Sequence, residues 1–149
     1  MILIIIIFLA AIFGIYWTIK TKKLFPGIIT IGMVLGIVLT LFLSNSAQNY
    51  GLYIYMGFVA LALIYAFTNG EMKFKARLTI VLITIPIFLY WLWILNHWHG
   101  FALLAPIFTL IVALAGIITK VKLRNELGFL VILIADAVAI ITENWMKAN

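Results

Sequence analysis

The chain has 149 residues, of which 67% are hydrophobic and 9% charged, with a mean hydropathy of +1.29. Soluble domains are roughly 45–50% apolar and about 25% charged, so this composition excludes a soluble domain and predicts one membrane domain over residues 1–149. The net charge of +6 is therefore not interpreted as nucleic acid binding, and the absence of cysteine excludes disulfides and thiolate metal sites.

Six apolar runs follow one another along the chain, at about 1–19, 27–43, 50–68, 78–95, 101–119 and 127–145. Each is close to the roughly 17–25 residues that a helix needs to cross hydrocarbon. The runs are continuous and do not alternate with polar residues, which favours helices over barrel strands. The predicted fold is an all-α transmembrane bundle of six helices arranged as three hairpins. The first run lacks a preceding basic region and a small-residue cleavage site, so we expect it to be retained.

Basic residues are concentrated in three of the five connections between these runs. The positive-inside rule places such connections on the cytoplasmic side and both termini on the outer side. The same loops could also bind anionic lipid headgroups. The expected location is a prokaryotic cytoplasmic membrane or an equivalent energy-coupling membrane. Nine of the ten basic residues belong to this set, namely Lys20, Lys22, Lys23, Lys73, Lys75, Arg77, Lys120, Lys122 and Arg124.

Glycine and proline mark expected packing features. Gly32 and Gly36 form a G-x-x-x-G pattern on helix two, which lets a neighbouring helix approach closely. Pro86 and Pro106 are predicted inside helices four and five, where each would remove a backbone donor and kink its helix. A kinked pair would either open a cavity or be a simple packing irregularity.

Aromatic residues cluster where helices three and four approach the predicted outer face. Such residues are typical of a belt at the membrane interface, and a ligand pocket lined by tryptophan is the alternative. The residues assigned to this belt are Tyr50, Tyr53, Tyr55, Tyr90, Trp91, Trp93, Trp98 and Trp145.

Two histidines, His97 and His99, lie in the short turn between helices four and five. Together with Glu143, predicted at a similar depth, they could bind a metal ion or respond to pH. The alternative is that they cap the turn together with Asn96. No other cofactor is expected.

Helix six contains Asp136 and Glu143, two of the four acidic residues in the chain. They are seven residues apart, which places them on one face about 10 Å apart along the axis. A charge at the centre of a membrane helix costs roughly 2.5–3.5 kcal/mol, so Asp136 should face protein or water, or be protonated. It is either part of a proton or cation path, or a packing hydrogen bond to a neighbouring helix or subunit.

Two functions fit these features. The first is a non-catalytic accessory subunit of a larger membrane complex, contacting lipid, other subunits or further copies of itself. The second is a small channel or transporter for protons, cations or a small solute, with Asp136 and Glu143 on its path. The chain contains no P-loop, G-x-S-x-G, H-E-x-x-H or C-x-x-C motif, so a membrane-embedded enzyme is the least favoured class.

Overall fold

The computed structural model describes residues 2–43 and 46–149, apart from the side chain of residue 47. These residues form six helices, five of them long and apolar enough to cross a membrane. Met1, where the first predicted run begins, and Ser44 and Asn45 of the second connection lie outside the described residues. The helices are α1 (Ile2–Thr21), α2 (Leu24–Phe42), α3 (Ser46–Thr68), α4 (Phe74–Leu95), α5 (Leu104–Ile118) and α6 (Leu127–Ala148).

Helix bounds differ from the apolar runs at several ends. The first turn of α4 includes Lys75 and Arg77, which the hydropathy pattern places in a connection. Hydropathy detects the part of a helix that prefers lipid, whereas the backbone hydrogen bonds continue into water. The fifth helix is instead shorter than predicted, because Phe101 is not helical and Ala102 and Leu103 form a turn before α5 begins at Leu104.

The closest-packed helix pairs are α2 with α3, α4 with α5, and α1 with α6. This grouping differs from the three predicted hairpins, which would pair α1 with α2, α3 with α4 and α5 with α6. Helix α6 packs against α1, α2, α4 and α5, and is therefore the central helix of the bundle. The remaining helix, α3, has no Cα atom within 8 Å of a Cα atom of α6 in the part of the chain that is described.

Glycines allow α2 and α3 to pack with their backbones in contact. A Cβ atom added at Gly36 would lie 2.6 Å from the backbone nitrogen of Tyr55 and 2.9 Å from the carbonyl oxygen of Gly51. A Cβ atom at Gly32 would collide with the ring of Phe58. In lipid, helices associate through such close packing, because the apolar surroundings supply no hydrophobic driving force between them.

A second close approach joins α1 to α6. A Cβ atom at Gly14 would lie 3.2 Å from the carbonyl oxygen of Gly128, and Thr30 of α2 packs beside both glycines. These two glycines are far apart in sequence and form no G-x-x-x-G pattern, so the sequence did not single them out. Their contact makes α1 pack more extensively on the central helix than on its neighbour in the chain, α2.

The two helix prolines occupy different positions in their helices. Pro86 lies inside α4, as the sequence predicts, and it is buried. The Thr109 hydroxyl of α5 approaches the carbonyl oxygen of Ile83, close to Pro86, at 3.4 Å, and that of Ala105 at 3.2 Å. The prediction of a kink at Pro106 requires correction, because Pro106 lies in the first turn of α5, where backbone donors have no intrahelical partner.

The three basic connections come together at one end of the bundle. The Trp17 indole at the end of α1 donates a hydrogen bond of 2.6 Å to the carbonyl oxygen of Arg124, in the fifth connection. Lys73 of the third connection and Lys122 of the fifth line one surface cavity of about 320 Å³. We call this end of the bundle the basic end.

Candidate functional site

The acidic residues inside the bundle lie on its most protected helix or at the start of that helix. In α6, 56% of the membrane-length segment is buried by protein, compared with 17–39% in the other four long helices. Asp136 lies near the middle of α6, and Glu126 is the residue directly before the first residue of α6. Both are buried. A carboxyl group facing lipid would have no polar partner, so the central helix is the position where one can be accommodated.

Asp136 is hydrogen-bonded to two other helices. The Tyr55 hydroxyl of α3 and the Trp91 indole of α4 each donate a hydrogen bond of 2.8 Å to Oδ2. Within the described residues, neither a basic side chain nor any other donor bonds this carboxyl group. Asp136 therefore connects α6 to α3 and α4 through neutral donors, and all the hydrogen bonds are on one of its two oxygens.

The aromatic residues assigned to an interfacial belt are divided between two roles. Tyr50 and Tyr53 are exposed, as a belt requires, with 68% and 57% of their surface accessible. In contrast, Tyr55 is only 3% exposed, and its hydroxyl points into the bundle. Trp91 is half-buried and also points inward. Tyr55 and Trp91 therefore do not lie in the expected interfacial belt, because their polar groups are hydrogen-bonded to Asp136 inside the bundle.

Asp136 lines a cavity of about 160 Å³ that is surrounded by α1, α2, α3, α4 and α6. Its walls are mostly apolar, and two of them, Leu41 and Leu52, lie near the end of the bundle opposite the basic end. Thr40, another polar wall residue, has its hydroxyl bonded at 2.8 Å to the carbonyl oxygen of Gly36. The cavity lining therefore extends from residues near that end to a single buried acid.

A second buried acid, Glu126, is held in a similar way at the basic end. The Tyr65 hydroxyl of α3 donates a hydrogen bond of 2.8 Å to Glu126 Oε1, and the Asn69 amide donates one of 3.1 Å to Tyr65 Oη. The Arg77 guanidinium donates to the carbonyl oxygen of Asn69 at 2.9 Å. Sequence reasoning did not select Glu126, because it adjoins a charged connection and looks like a solvated helix start.

The two tyrosines and two acids have the same spacing in sequence. Tyr55 and Tyr65 are ten residues apart on α3, and Glu126, at the N-cap of α6, is ten residues from Asp136, near the middle of that helix. The two helices run antiparallel, so Tyr65 and Glu126 both lie nearer the basic end, and Tyr55 and Asp136 both lie farther from it. Each tyrosine therefore bonds the acid at its own level of the bundle. This equal spacing is the sequence signal that could have identified both pairs.

Glu143, the second residue of the predicted ion path, does not join Asp136. Its Oε1 lies 2.6 Å from Nζ of Lys147, one helical turn later. The side chains of Lys147 and Glu143 are 71% and 47% exposed, respectively. An exposed pair at this spacing is typical of a solvated helix end.

The histidines of the turn, His97 and His99, are both exposed. His97 has a positive φ of 52° in the turn that follows α4. Among the residues described, no three His, Cys, Asp or Glu side chains come together as a metal site would require. Metal binding by His97 and His99 stays a prediction, without a third ligand from Glu143.

Comparison of the chain with protein-family models, curated proteins and solved structures finds no match. Its helices, which are apolar and long, are compatible with a small integral membrane protein. A more specific function must be argued from the geometry around the buried acids.

Proposed function

We propose that this protein is a non-catalytic accessory subunit of a larger membrane complex. The observation that carries this proposal is the use of its buried acids: each accepts a hydrogen bond from an α3 tyrosine. Tyr55 and Tyr65 thereby attach α3 to the central helix, which it does not otherwise approach closely. The polar groups inside the bundle thus connect helices, as expected of a protein whose role is to hold a shape.

The space between the two acids supports this role. Glu126 and Asp136 are about 15 Å apart along the helix axis, from ten residues at 1.5 Å each. The intervening part of α6 is packed with apolar side chains that are at most 2% exposed, namely Phe129, Leu130, Ile132 and Leu133. Ion or proton transfer needs water or polar groups in succession, and this layer contains neither among its α6 side chains.

The outer faces of the bundle suit contact with lipid or with other membrane helices. In α1 the buried residues are small, Ala10, Ala11 and Gly14, and the other faces carry exposed isoleucine, leucine and phenylalanine. These faces can be covered by lipid, by other subunits or by further copies of the chain. In this proposal the protein resides in a prokaryotic cytoplasmic membrane or an equivalent membrane, with its basic end on the cytoplasmic side.

The orientation can be tested with single cysteines, because the natural chain contains none. We expect Lys22→Cys, Lys75→Cys and Lys122→Cys to react with an impermeant maleimide only after the membrane is opened. We expect Gln48→Cys, in the first turn of α3, and His99→Cys, in the fourth connection, to react in intact cells, since this end of the bundle has no basic connection. Labelling of the three lysine positions from opposite sides of the membrane would contradict the proposed topology.

The accessory role predicts stable association with other polypeptides. Untagged protein solubilised from its native membrane in mild detergent should co-migrate with partner subunits on native gels. Asp136→Asn should lower the yield of that complex several-fold, because destabilisation of about 1–2 kcal/mol is enough to change abundance to this extent. Glu143→Gln, at an exposed ion pair, is the matched control and should leave the yield unchanged. Migration of the native protein as a free monomer would contradict the proposal.

A small channel or transporter for protons, cations or a small solute is the second candidate, and the cavity at Asp136 favours it. Purified protein in liposomes with an internal pH dye or cation indicator distinguishes the two functions. The accessory role predicts the same flux as in empty liposomes. Flux that is present in the natural protein and lost in Asp136→Asn would instead establish transport.

A further inference from the structure

We infer that the cavity at Asp136 is a binding site for a small lipophilic ammonium ion, a primary amine with an apolar body. This inference does not depend on the accessory role. It rests on the hydrogen bonding of Asp136, on the chemistry of the cavity walls and on the cavity volume.

The hydrogen bonds of Asp136 leave one of its oxygens available. An ionised carboxylate accepts about four hydrogen bonds, and the described residues supply two, both to Oδ2. Tyr55 and Trp91 stabilise negative charge on Oδ2 but bring no positive charge. Buried carboxylates are normally paired with a cation, because burial of an isolated charge is costly. An ammonium group at Oδ1 would supply both the missing charge and the missing donors.

The cavity walls define the rest of the ligand. Ile7, Ile37, Leu41, Leu52 and Ile132 form an apolar surface around the carboxylate. The Thr40 hydroxyl is already bonded to a backbone carbonyl, so it has no further proton to donate to a ligand. Among the described residues, no lysine or arginine lines the cavity, which disfavours a phosphate group inside the cavity itself. The ligand therefore combines one cationic group with an apolar body.

The volume limits the size of that body. The cavity measures about 160 Å³, and an engineered apolar cavity of roughly 150 Å³ in another protein binds benzene. A body of about six or seven carbon atoms therefore fits. Trp91 and Tyr55 also line the cavity, and aromatic rings attract cations through their faces. Benzylamine has the required size and charge, and benzyl alcohol is its neutral counterpart.

The Trp91 indole is a direct reporter of binding, because its N–H donates to the same carboxylate. The experiment uses ¹⁵N-labelled full-length protein in phosphatidylcholine nanodiscs and follows the indole signals, with the Trp91 signal assigned from Trp91→Phe. We expect benzylamine to shift this signal saturably while the signals of Trp98 and Trp145 stay unchanged. Benzyl alcohol should bind about 10- to 100-fold more weakly, as expected for loss of a charged hydrogen bond.

Two variants separate specific binding from damage to the fold. Asp136→Asn removes the charge and should weaken benzylamine binding about 10- to 100-fold while leaving benzyl alcohol binding unchanged. Leu52→Phe narrows the cavity without touching the acid, and should abolish binding of both compounds. Glu143→Gln removes an exposed acid and should change neither affinity.

The source of the ammonium group is tested by adding phosphatidylethanolamine to the nanodiscs. Competition with benzylamine would support an ammonium site occupied by a lipid headgroup, and lack of competition would support a free amine as the ligand. Equal affinity for benzyl alcohol, equal shifts at Trp98 and Trp145, or unchanged binding in Leu52→Phe would each overturn the inference.

Discussion

Replacing Gly36 with alanine is expected to lower the free energy of unfolding by at least about 1–3 kcal/mol, the usual range for overpacking. The new Cβ atom would lie 2.6 Å from the backbone nitrogen of Tyr55, and a backbone atom cannot move aside as the end of a side chain can. Helix α3 must therefore shift away from α2. That shift also withdraws the Tyr55 hydroxyl from Asp136, so the cost includes a buried hydrogen bond. Titration of the purified protein from mild detergent into SDS measures the change.

Two other glycines calibrate this prediction. Gly32→Ala should cost less than Gly36→Ala, because its Cβ atom meets the Phe58 side chain, which can rotate. Gly57→Ala is the matched control on α3, since nothing lies within 4 Å of its Cβ position. It should stay within about 1 kcal/mol of the natural protein, in the stabilising direction, because alanine favours helix over glycine. Equal effects at Gly36 and Gly57 would contradict the close packing of α2 and α3.

Replacing Asp136 with alanine should destabilise the protein by at least about 1–3 kcal/mol, because stranding one buried donor costs roughly that much and a second, half-buried donor adds to it. The stranded donors are the Tyr55 hydroxyl and the Trp91 indole N–H. Asp136→Asn should cost less, because its amide oxygen can still accept both hydrogen bonds. The same SDS titration measures both variants and places Asp136→Asn between the natural protein and Asp136→Ala.

A double-mutant cycle tests whether the two residues act together. Tyr55→Phe removes one donor, so its effect should largely disappear when Asp136 is already alanine. The corresponding pair at the basic end, Tyr65 and Glu126, provides an independent repeat of the cycle. Glu143→Gln breaks only an exposed ion pair and should leave the unfolding midpoint unchanged. Additive effects of Tyr55→Phe and Asp136→Ala would show that the hydrogen bond contributes nothing to stability.

The channel interpretation of Asp136 and Glu143 illustrates how far spacing alone can be used. Their separation by seven residues correctly implies two turns of helix, but spacing gives no information about neighbours. Glu143 pairs with Lys147 on its own helix, while Asp136 bonds residues that are 45 and 81 positions away. The sequence analysis assigns both partners of Asp136, Tyr55 and Trp91, to a membrane belt, because each lies close to a helix end in the sequence.

Several features of this protein follow from single residues. The cost of transferring each side chain into lipid is known from its residue type. This cost determines the helical class, the positions of the apolar runs and the separation of basic from uncharged connections. The close contact of α2 also has a local signal in Gly32 and Gly36. These properties need no knowledge of which helices are neighbours.

The arrangement of the helices around α6 was decided only by the tertiary structure. A helix that is apolar on all sides has no periodic pattern to define its buried face, so its rotation and its neighbours depend on shape. Here Gly14 and Gly128 bring α1 to α6, and the tyrosines of α3 reach Asp136 and Glu126 across the bundle. Close packing and buried hydrogen bonds act between residues that are distant in sequence. They therefore select one arrangement of the helices among the several that hydropathy alone would allow.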